Sequence, residues 1–138
     1  AQDDDTRGKV PNLEKRILFL GKKPFEDLPK LFQGMSVVAA LSRNEGYGLT
    51  PLEGMASGAA VLTSSEGVWD ELVRDGIDGY VVKTNDVFQT SERLNTLIEN
   101  SSKTKIMGEN AAKYISENFS VEKEAEQIIQ HIRYVQNI

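Results

Sequence analysis

The chain has 138 residues, no cysteine, one histidine and a formal net charge of −5, and 39% of its residues are hydrophobic. This length suits one domain, and the lack of cysteine excludes disulfides, thiolate zinc sites and a cysteine nucleophile. The acidic balance argues against nucleic acid as a partner, because phosphate backbones are held by basic surfaces, and no apolar run approaches the ~20 residues of a membrane-spanning helix.

Short apolar segments alternate with helical patterns along most of the chain. Residues 1–13 are polar, and we expect them to form a loosely ordered lead-in to one domain over 14–138. Four apolar runs predict buried strands, at 17–20, 37–41, 60–63 and 79–82. Six helices are predicted, near 25–33, 51–57, 69–73, 86–99, 103–117 and 121–135. This alternation favours βαβ units, and therefore an α/β fold with a parallel sheet.

The segment 45–53, which reads EGYGLTPLE, follows the second predicted strand. Ligands of such sheets bind beyond the carboxyl ends of the strands, so this loop is where chemistry is expected. Gly46 and Gly48 leave the backbone open to close approach, and the following helix start can hold a phosphate. The carboxylates of Glu45 and Glu53 can accept hydrogen bonds from hydroxyl groups. A ligand that carries both hydroxyl groups and a phosphate, such as a nucleotide-sugar, would suit this arrangement.

Glu53 also has a purely structural interpretation. Thr50, Pro51 and Glu53 fit a capping box, with Thr50 as the N-cap and the Glu53 carboxylate accepting from the Thr50 amide. A carboxylate has two oxygens, so capping and ligand binding can coexist. Trp69 likewise fits either packing or stacking on a base or sugar, and its apolar flanks favour packing. Ser120 is a good N-cap for the last helix.

The constellation as a whole resembles a known family. Glu45-Gly46-Tyr47-Gly48-Leu49, Leu52-Glu53, Met55-Ala56 and Gly58 resemble the E-x7-E signature of family-4 (group 1) retaining glycosyltransferases. The likeness extends in consistent order over roughly residues 14–133, from Phe19-Leu20-Gly21 through Gly67, Glu71, Asp75-Gly76 and Gly79-Tyr80 to Asn118-Phe119-Ser120.

This resemblance implies a GT-B enzyme, in which the signature belongs to the C-terminal, Rossmann-like domain that binds the donor. Glu45 would be catalytic, contacting hydroxyls of the donor sugar. Main-chain amides would contact the sugar and the diphosphate, and the segment that supplies them comprises Gly46, Tyr47, Gly48, Leu49 and Thr50. Glu53 would bind the ribose. A hexose would pass with retention from a UDP- or GDP-sugar to a glycan or lipid-linked acceptor, as in lipopolysaccharide or polysaccharide biosynthesis, without a metal or other cofactor.

The chain also departs from the family. The family's donor domain begins with two further strands, which lie between the 17–20 and 37–41 strands and carry an Arg and a Lys for the diphosphate. We therefore predict an incomplete C-terminal GT-B domain in a cytoplasmic protein, inactive as an isolated chain. The alternative is a non-catalytic subunit or remnant that pairs with a separate acceptor-domain polypeptide. Members of the family also have a second domain that binds the acceptor. An oligomer, and peripheral membrane association through that acceptor domain, both stay open.

Overall fold

The computed structural model describes residues 16–136, so the polar lead-in 1–13 lies outside the described residues. Three strands form the sheet: β1 (Val37–Ala40), β2 (Ala60–Ser64) and β3 (Gly79–Val82). A 3₁₀ turn at Phe25–Asp27 leads into the first of six helices: α1 (Leu28–Gln33), α2 (Leu49–Ala56), α3 (Trp69–Leu72), α4 (Val87–Glu99), α5 (Ser101–Asn118) and α6 (Val121–Gln136).

The sheet has the strand order β1-β2-β3, and both pairs of strands are parallel. Val38 of β1 lies beside Val61 of β2, and Leu62 of β2 lies beside Tyr80 of β3. Helix α2 connects β1 to β2, and α3 connects β2 to β3. The predicted α/β class, the parallel sheet and the six helices are confirmed.

The sheet is buried on both faces. Every residue of β2 is buried, as expected for the middle strand of a parallel sheet. Val61 belongs to one apolar cluster with Met55 and Trp69, and Leu62 belongs to another with Met107. Successive side chains of a strand point to opposite faces, so helices must cover both sides of β2. Trp69 is only 2% exposed, which confirms its packing interpretation.

Two glycines allow helices to approach the sheet closely. A Cβ on Gly54 of α2 would lie 2.8 Å from Cγ2 of Val38, and a Cβ on Gly108 of α5 would collide with the carbonyl oxygen of Gly58. The first contact brings α2 down onto β1, and the second brings α5 against the start of β2. Gly54 would ordinarily weaken a helix, but here it is what makes this packing possible.

A buried carboxylate fixes the turn before β3. Asp78 is fully buried and accepts hydrogen bonds from the backbone amide of Arg74 at 3.2 Å and from its Nε at 2.7 Å and Nη2 at 2.6 Å. The Arg74 guanidinium also lies 4.5 Å from the ring centroid of Tyr114 on α5. The hydrogen bond to Asp78 raises the pKa of Arg74. Arg74 therefore links the two ends of the turn through Asp78 and links the turn to α5 through Tyr114.

The predicted strand at 17–20 is wrong. These residues form no strand, and Leu18 and Phe19 are 81% and 63% exposed. A strand needs a neighbouring strand to pair with, and among residues 16–136 β1 pairs with β2 alone. The sheet in this part of the chain therefore has three strands instead of four.

Candidate functional site

The loop between β1 and α2 lies at the carboxyl end of the sheet, where sequence reasoning places the site. Glu45 is half-buried, and its Oε2 accepts a hydrogen bond from Ser42 Oγ at 3.1 Å. A Cβ on Gly48 would lie 3.0 Å from Cγ and Cδ of Glu45. The Glu45 side chain therefore packs over Gly48, with one carboxylate oxygen hydrogen-bonded to Ser42. This arrangement fixes a carboxylate beside the start of α2.

Contacts from the end of β2 hold this loop in place. The buried Ser64 donates its Oγ hydrogen to the carbonyl oxygen of Ser42 at 2.7 Å. Gly67 has a φ of +68°, and a Cβ there would collide with the carbonyl oxygen of Gly46 and lie 2.8 Å from that of Glu45. Sequence reasoning assigned no role in the site to these contacts. The sequence carries one signal for these contacts, which is that Gly67 follows the buried strand β2 closely.

Helix α2 begins at Leu49, with Gly48 as its N-cap, and no side chain caps it. The predicted capping box is therefore wrong, because Thr50 is already the second residue of the helix. Gly48 adopts φ +55°, a conformation that glycine enters easily, so the chain turns into the helix two residues earlier than predicted. Pro51 tolerates this shift because amides in the first turn lack helical partners.

The start of α2 offers two main-chain donors to an anion. Leu49 and Thr50 lie in the first turn, where amides have no partner within the helix, and that turn contains no acidic residue. The aligned peptide dipoles add about half a positive charge at this end. Leu49 and Tyr47 are largely exposed, so the helix start is open to solvent. This geometry can hold a phosphate oxygen next to Glu45.

Glu53 lies one turn further along α2 and contacts a different space. It is half-buried and lines a groove of about 270 Å³ between α1 and α2, together with Phe25, Leu28, Pro29, Phe32, Ala56 and Ser57. The structure thus brings Glu45, Gly46 and Gly48 together at the loop. Glu53 is displaced from them toward an apolar groove.

Comparison with known proteins identifies the family of this chain. Residues 10–114 match the family described as "Glycosyl transferases group 1". The chain belongs to this family. It is 40% identical over 116 residues to the lipopolysaccharide core biosynthesis mannosyltransferase LpcC of Rhizobium leguminosarum bv. viciae, a match that covers 84% of the chain and 32% of LpcC. The chain spans about a third of the length of the curated relatives it matches.

Two solved structures share the fold. HepE from Anabaena in complex with UDP matches with a TM-score of 0.81 and 30% identity, over 89% of this chain and 34% of HepE. The C-terminal domain of LpcC from Francisella tularensis matches with a TM-score of 0.73 and 29% identity, over 80% of this chain and 57% of that domain. The predicted family and the C-terminal GT-B, Rossmann-like fold are confirmed.

Residues 16–136 contain neither a membrane-spanning helix nor a metal-binding cluster. No helix there combines the length and the apolar character needed to cross a bilayer. No three His, Asp or Glu side chains within that range come together in a way that could hold a metal ion.

Proposed function

We propose that this chain is the donor-binding part of a retaining glycosyltransferase that transfers a hexose from a UDP- or GDP-sugar to a glycan or lipid-linked acceptor. The observation that supports the proposal best is the loop geometry. A half-buried carboxylate is fixed over Gly48, directly beside the uncapped start of α2. Relatives named as lipopolysaccharide core mannosyltransferases, and the UDP complex of HepE, support the substrate class.

Each part of the loop has one task in this proposal. Glu45 accepts hydrogen bonds from the donor sugar's hydroxyls and so positions the anomeric carbon, as the catalytic residue. The amides of the segment Gly46 to Thr50 bind the sugar and the diphosphate, and the helix dipole adds a favourable field. Glu53 accepts hydrogen bonds from the ribose. These groups bind and orient the donor without a metal ion.

Titration calorimetry with UDP, UDP-glucose, GDP and GDP-mannose tests the donor assignment. We expect binding in at least one nucleotide series. If neither the UDP series nor the GDP series gives a binding signal, for this chain and for a longer polypeptide that contains it, the proposal is wrong.

Two carboxylate variants separate the parts of the donor. Glu53→Gln should lower the affinity for UDP by about tenfold, since hydrogen bonds to charged groups contribute about 1.5–3 kcal/mol. Glu45→Gln should leave UDP binding unchanged and reduce the additional affinity that the sugar confers. Glu109→Gln is the matched control, because Glu109 is exposed on α5 and far along the chain from the loop. Equal losses in all three variants would contradict the assigned roles.

We also propose that the isolated chain does not turn over. The diphosphate leaving group lacks the cations that the family pattern supplies, and losing such a preorganised group typically costs several kcal/mol in the barrier. Release of UDP from UDP-glucose in the presence of a glycan acceptor can be followed with a coupled assay. Turnover by purified residues 1–138 would contradict this proposal.

The alternative, a non-catalytic subunit that pairs with a separate acceptor-domain polypeptide, is favoured by the state of β1. This strand pairs with β2 on one side, and only Val38 among its four residues is buried. Unpaired strand edges are ready templates for another chain. Gel filtration with light scattering, followed by a pull-down with tagged chain, tests this. A stable monomer that captures no acceptor-domain polypeptide would argue against it.

We further propose a cytoplasmic protein, because nucleotide-sugar donors are made there. Peripheral association with a membrane would depend on the part of the enzyme that binds the acceptor. Fractionation of cells that express the chain alone and in a longer polypeptide tests this. Recovery of the chain alone in the membrane fraction would contradict it.

A further inference from the structure

A second cavity lies at the carboxyl end of the sheet and is lined by Ser42, the hydrogen-bond partner of Glu45. It has a volume of about 230 Å³ and is bordered by the ends of all three strands. Ser42 and Arg43 follow β1, Ser64 ends β2, and Lys83 and Thr84 follow β3. We call this the Arg43–Lys83 cavity. None of the donor-binding groups assigned above lines it.

The charged side chains around this cavity favour an anion. Arg43 and Lys83 are the two cationic residues that line the cavity, and Asp86 is the one acidic residue among its lining residues. Asp86 is already engaged as the N-cap of α4, because its Oδ1 accepts from the amide of Gln89 at 2.8 Å. Neither Arg43 nor Lys83 forms an ion pair within residues 16–136. Two cations that form no ion pair with any residue of 16–136 therefore line one concave site of a chain whose formal net charge is −5.

One of the four hydroxyl groups that line the cavity has no hydrogen-bond partner. Three of them already donate: Ser42 to Glu45, Ser64 to the carbonyl oxygen of Ser42, and Thr90 to the carbonyl oxygen of Asp86. The Oγ1 of Thr84 is buried and has no hydrogen-bond partner. An unpaired buried polar atom costs about 1–3 kcal/mol and calls for an explanation. Thr84 lines the cavity, so its hydroxyl is the unpartnered donor closest to hand for a bound anion.

The position of Glu45 indicates which molecule supplies the anion. Its side chain packs on Gly48, at the start of α2, and its carboxylate is bonded to Ser42, in the wall of the cavity. The donor's diphosphate belongs at α2 and its sugar at Glu45. None of the groups that bind the donor lines the Arg43–Lys83 cavity. An anionic group bound there is therefore part of the acceptor, the molecule that receives the sugar.

We propose that the Arg43–Lys83 cavity binds an anionic group of the acceptor, a carboxylate or a phosphate. Arg43 and Lys83 provide the charge, and the Thr84 hydroxyl provides a hydrogen bond. This inference rests on the proposed function, because that function places the donor sugar at Glu45. Charge-assisted hydrogen bonds from Arg and Lys are the usual way to hold either group.

Two-dimensional NMR of the ¹⁵N-labelled chain tests the site directly. The probes are glucose 6-phosphate, glucuronate and, as the neutral reference, glucose. We expect both anions to shift the amide signals of Arg43, Lys83 and Thr84, with dissociation constants of roughly 1–10 mM for such small ligands. Glucose should shift none of them. Tighter binding of glucuronate would identify a carboxylate as the natural group, and tighter binding of glucose 6-phosphate would identify a phosphate.

Variants assign the effect to the two cations. The double variant Arg43→Gln, Lys83→Gln should weaken anion binding by about tenfold or more, because it removes both charged donors. Lys113→Gln, an exposed cation on α5, should leave it unchanged. UDP affinity should stay within about twofold of the parent chain in both variants, since neither cation lies at α2. If the double variant unfolds, Arg43→Gln and Lys83→Gln are tested singly.

Three results would overturn the proposal. The first is anion-induced shifts confined to the amides of Gly48 to Thr50 and reversed by UDP, which would place the anions in the diphosphate site. The second is equal shifts with glucose, and the third is unchanged anion affinity in the cation variants. Anion binding at the cavity in a chain that does not bind nucleotide would instead support the anion site and refute the proposed function, so the two failures are distinguishable.

Discussion

The two outer strands of the sheet differ sharply in how they are held. Three of the four residues of β3 are buried, and the turn before it is fixed by the Arg74–Asp78 pair. Only one of the four residues of β1 is buried, and the apolar segment 17–20 is exposed. The Glu45 loop follows the weakly held strand, yet Ser64 and Gly67 anchor it to the end of β2. The fully buried middle strand thus positions the site.

Leu62 and Leu18 should give the largest contrast between the two regions. Leu62 is fully buried in β2, so Leu62→Ala should lower the free energy of unfolding by about 2–5 kcal/mol. Leu18 is 81% exposed, so Leu18→Ala should change it by less than about 0.5 kcal/mol. Urea unfolding followed by circular dichroism measures both. A comparable loss in Leu18→Ala would mean that segment 17–20 is packed in solution.

Gly67 tests whether the end of β2 positions the site. Gly67→Ala should cost about 2–4 kcal/mol, since a left-handed conformation alone costs a residue with Cβ about 1–2 kcal/mol and a collision with the Gly46 carbonyl adds to it. Gly76→Ala is the matched control, because Gly76 has φ +76° and no atom within 4 Å of its Cβ position.

The UDP affinity of the same two variants gives a second test of this contact. Gly67→Ala should reduce UDP affinity by about tenfold, because it displaces the backbone of Gly46 and Glu45. Gly76→Ala should bind UDP as the parent chain does. Parent-like UDP affinity in a folded Gly67→Ala chain would show that the loop does not depend on this contact.

Gly54 probes the contact between α2 and β1. Gly54→Ala places a methyl group 2.8 Å from Val38 Cγ2. Overpacking costs about 1–3 kcal/mol, and the better helix propensity of Ala returns roughly 0.5–1 kcal/mol. We expect a net loss of about 1 kcal/mol in the free energy of unfolding. A double-mutant cycle with Val38→Ala should recover part of this loss, and strict additivity would contradict direct contact.

Glu122 should give the smallest effect, at the start of α6. Its pKa is lowered by hydrogen bonding, first to its own backbone amide and then to Ser120, whose Oγ also accepts from the amide of Lys123 at 3.2 Å. A lowered pKa in the folded state means that the carboxylate stabilises α6 above pH 4.5, its ordinary pKa, and that this is lost as pH falls through the folded value.

An NMR titration of the Glu122 side-chain carboxyl carbon measures this shift. The midpoint should lie below that of the same residue in an unfolded peptide, and Ser120→Ala should raise it toward the peptide value. A midpoint above the peptide value would contradict the capping arrangement at Ser120.

Local pattern predicted most of the fold. The strands at 37–41, 60–63 and 79–82 and the six helices follow from apolar periodicity, which each segment carries by itself. The start of α2 was missed by two residues, because Gly48 and Thr50 both offer a good helix start and nothing local chooses between them. The segment 17–20 has the composition of a strand but joins no strand of the sheet formed within residues 16–136, and pairing between strands is not encoded in local composition.

By itself, the sequence determined the family and placed Glu45, the glycines and a helix start at the carboxyl end of a strand, since these depend on residue type and spacing. Only the tertiary structure decided that Glu45 is bonded to Ser42, that Gly67 lies against Gly46, that Glu53 faces a separate groove, and that Arg43 and Lys83 share a cavity. Apart from the local bond between Ser42 and Glu45, these contacts join segments far apart in the chain, and the packing of the strands and helices brings them together.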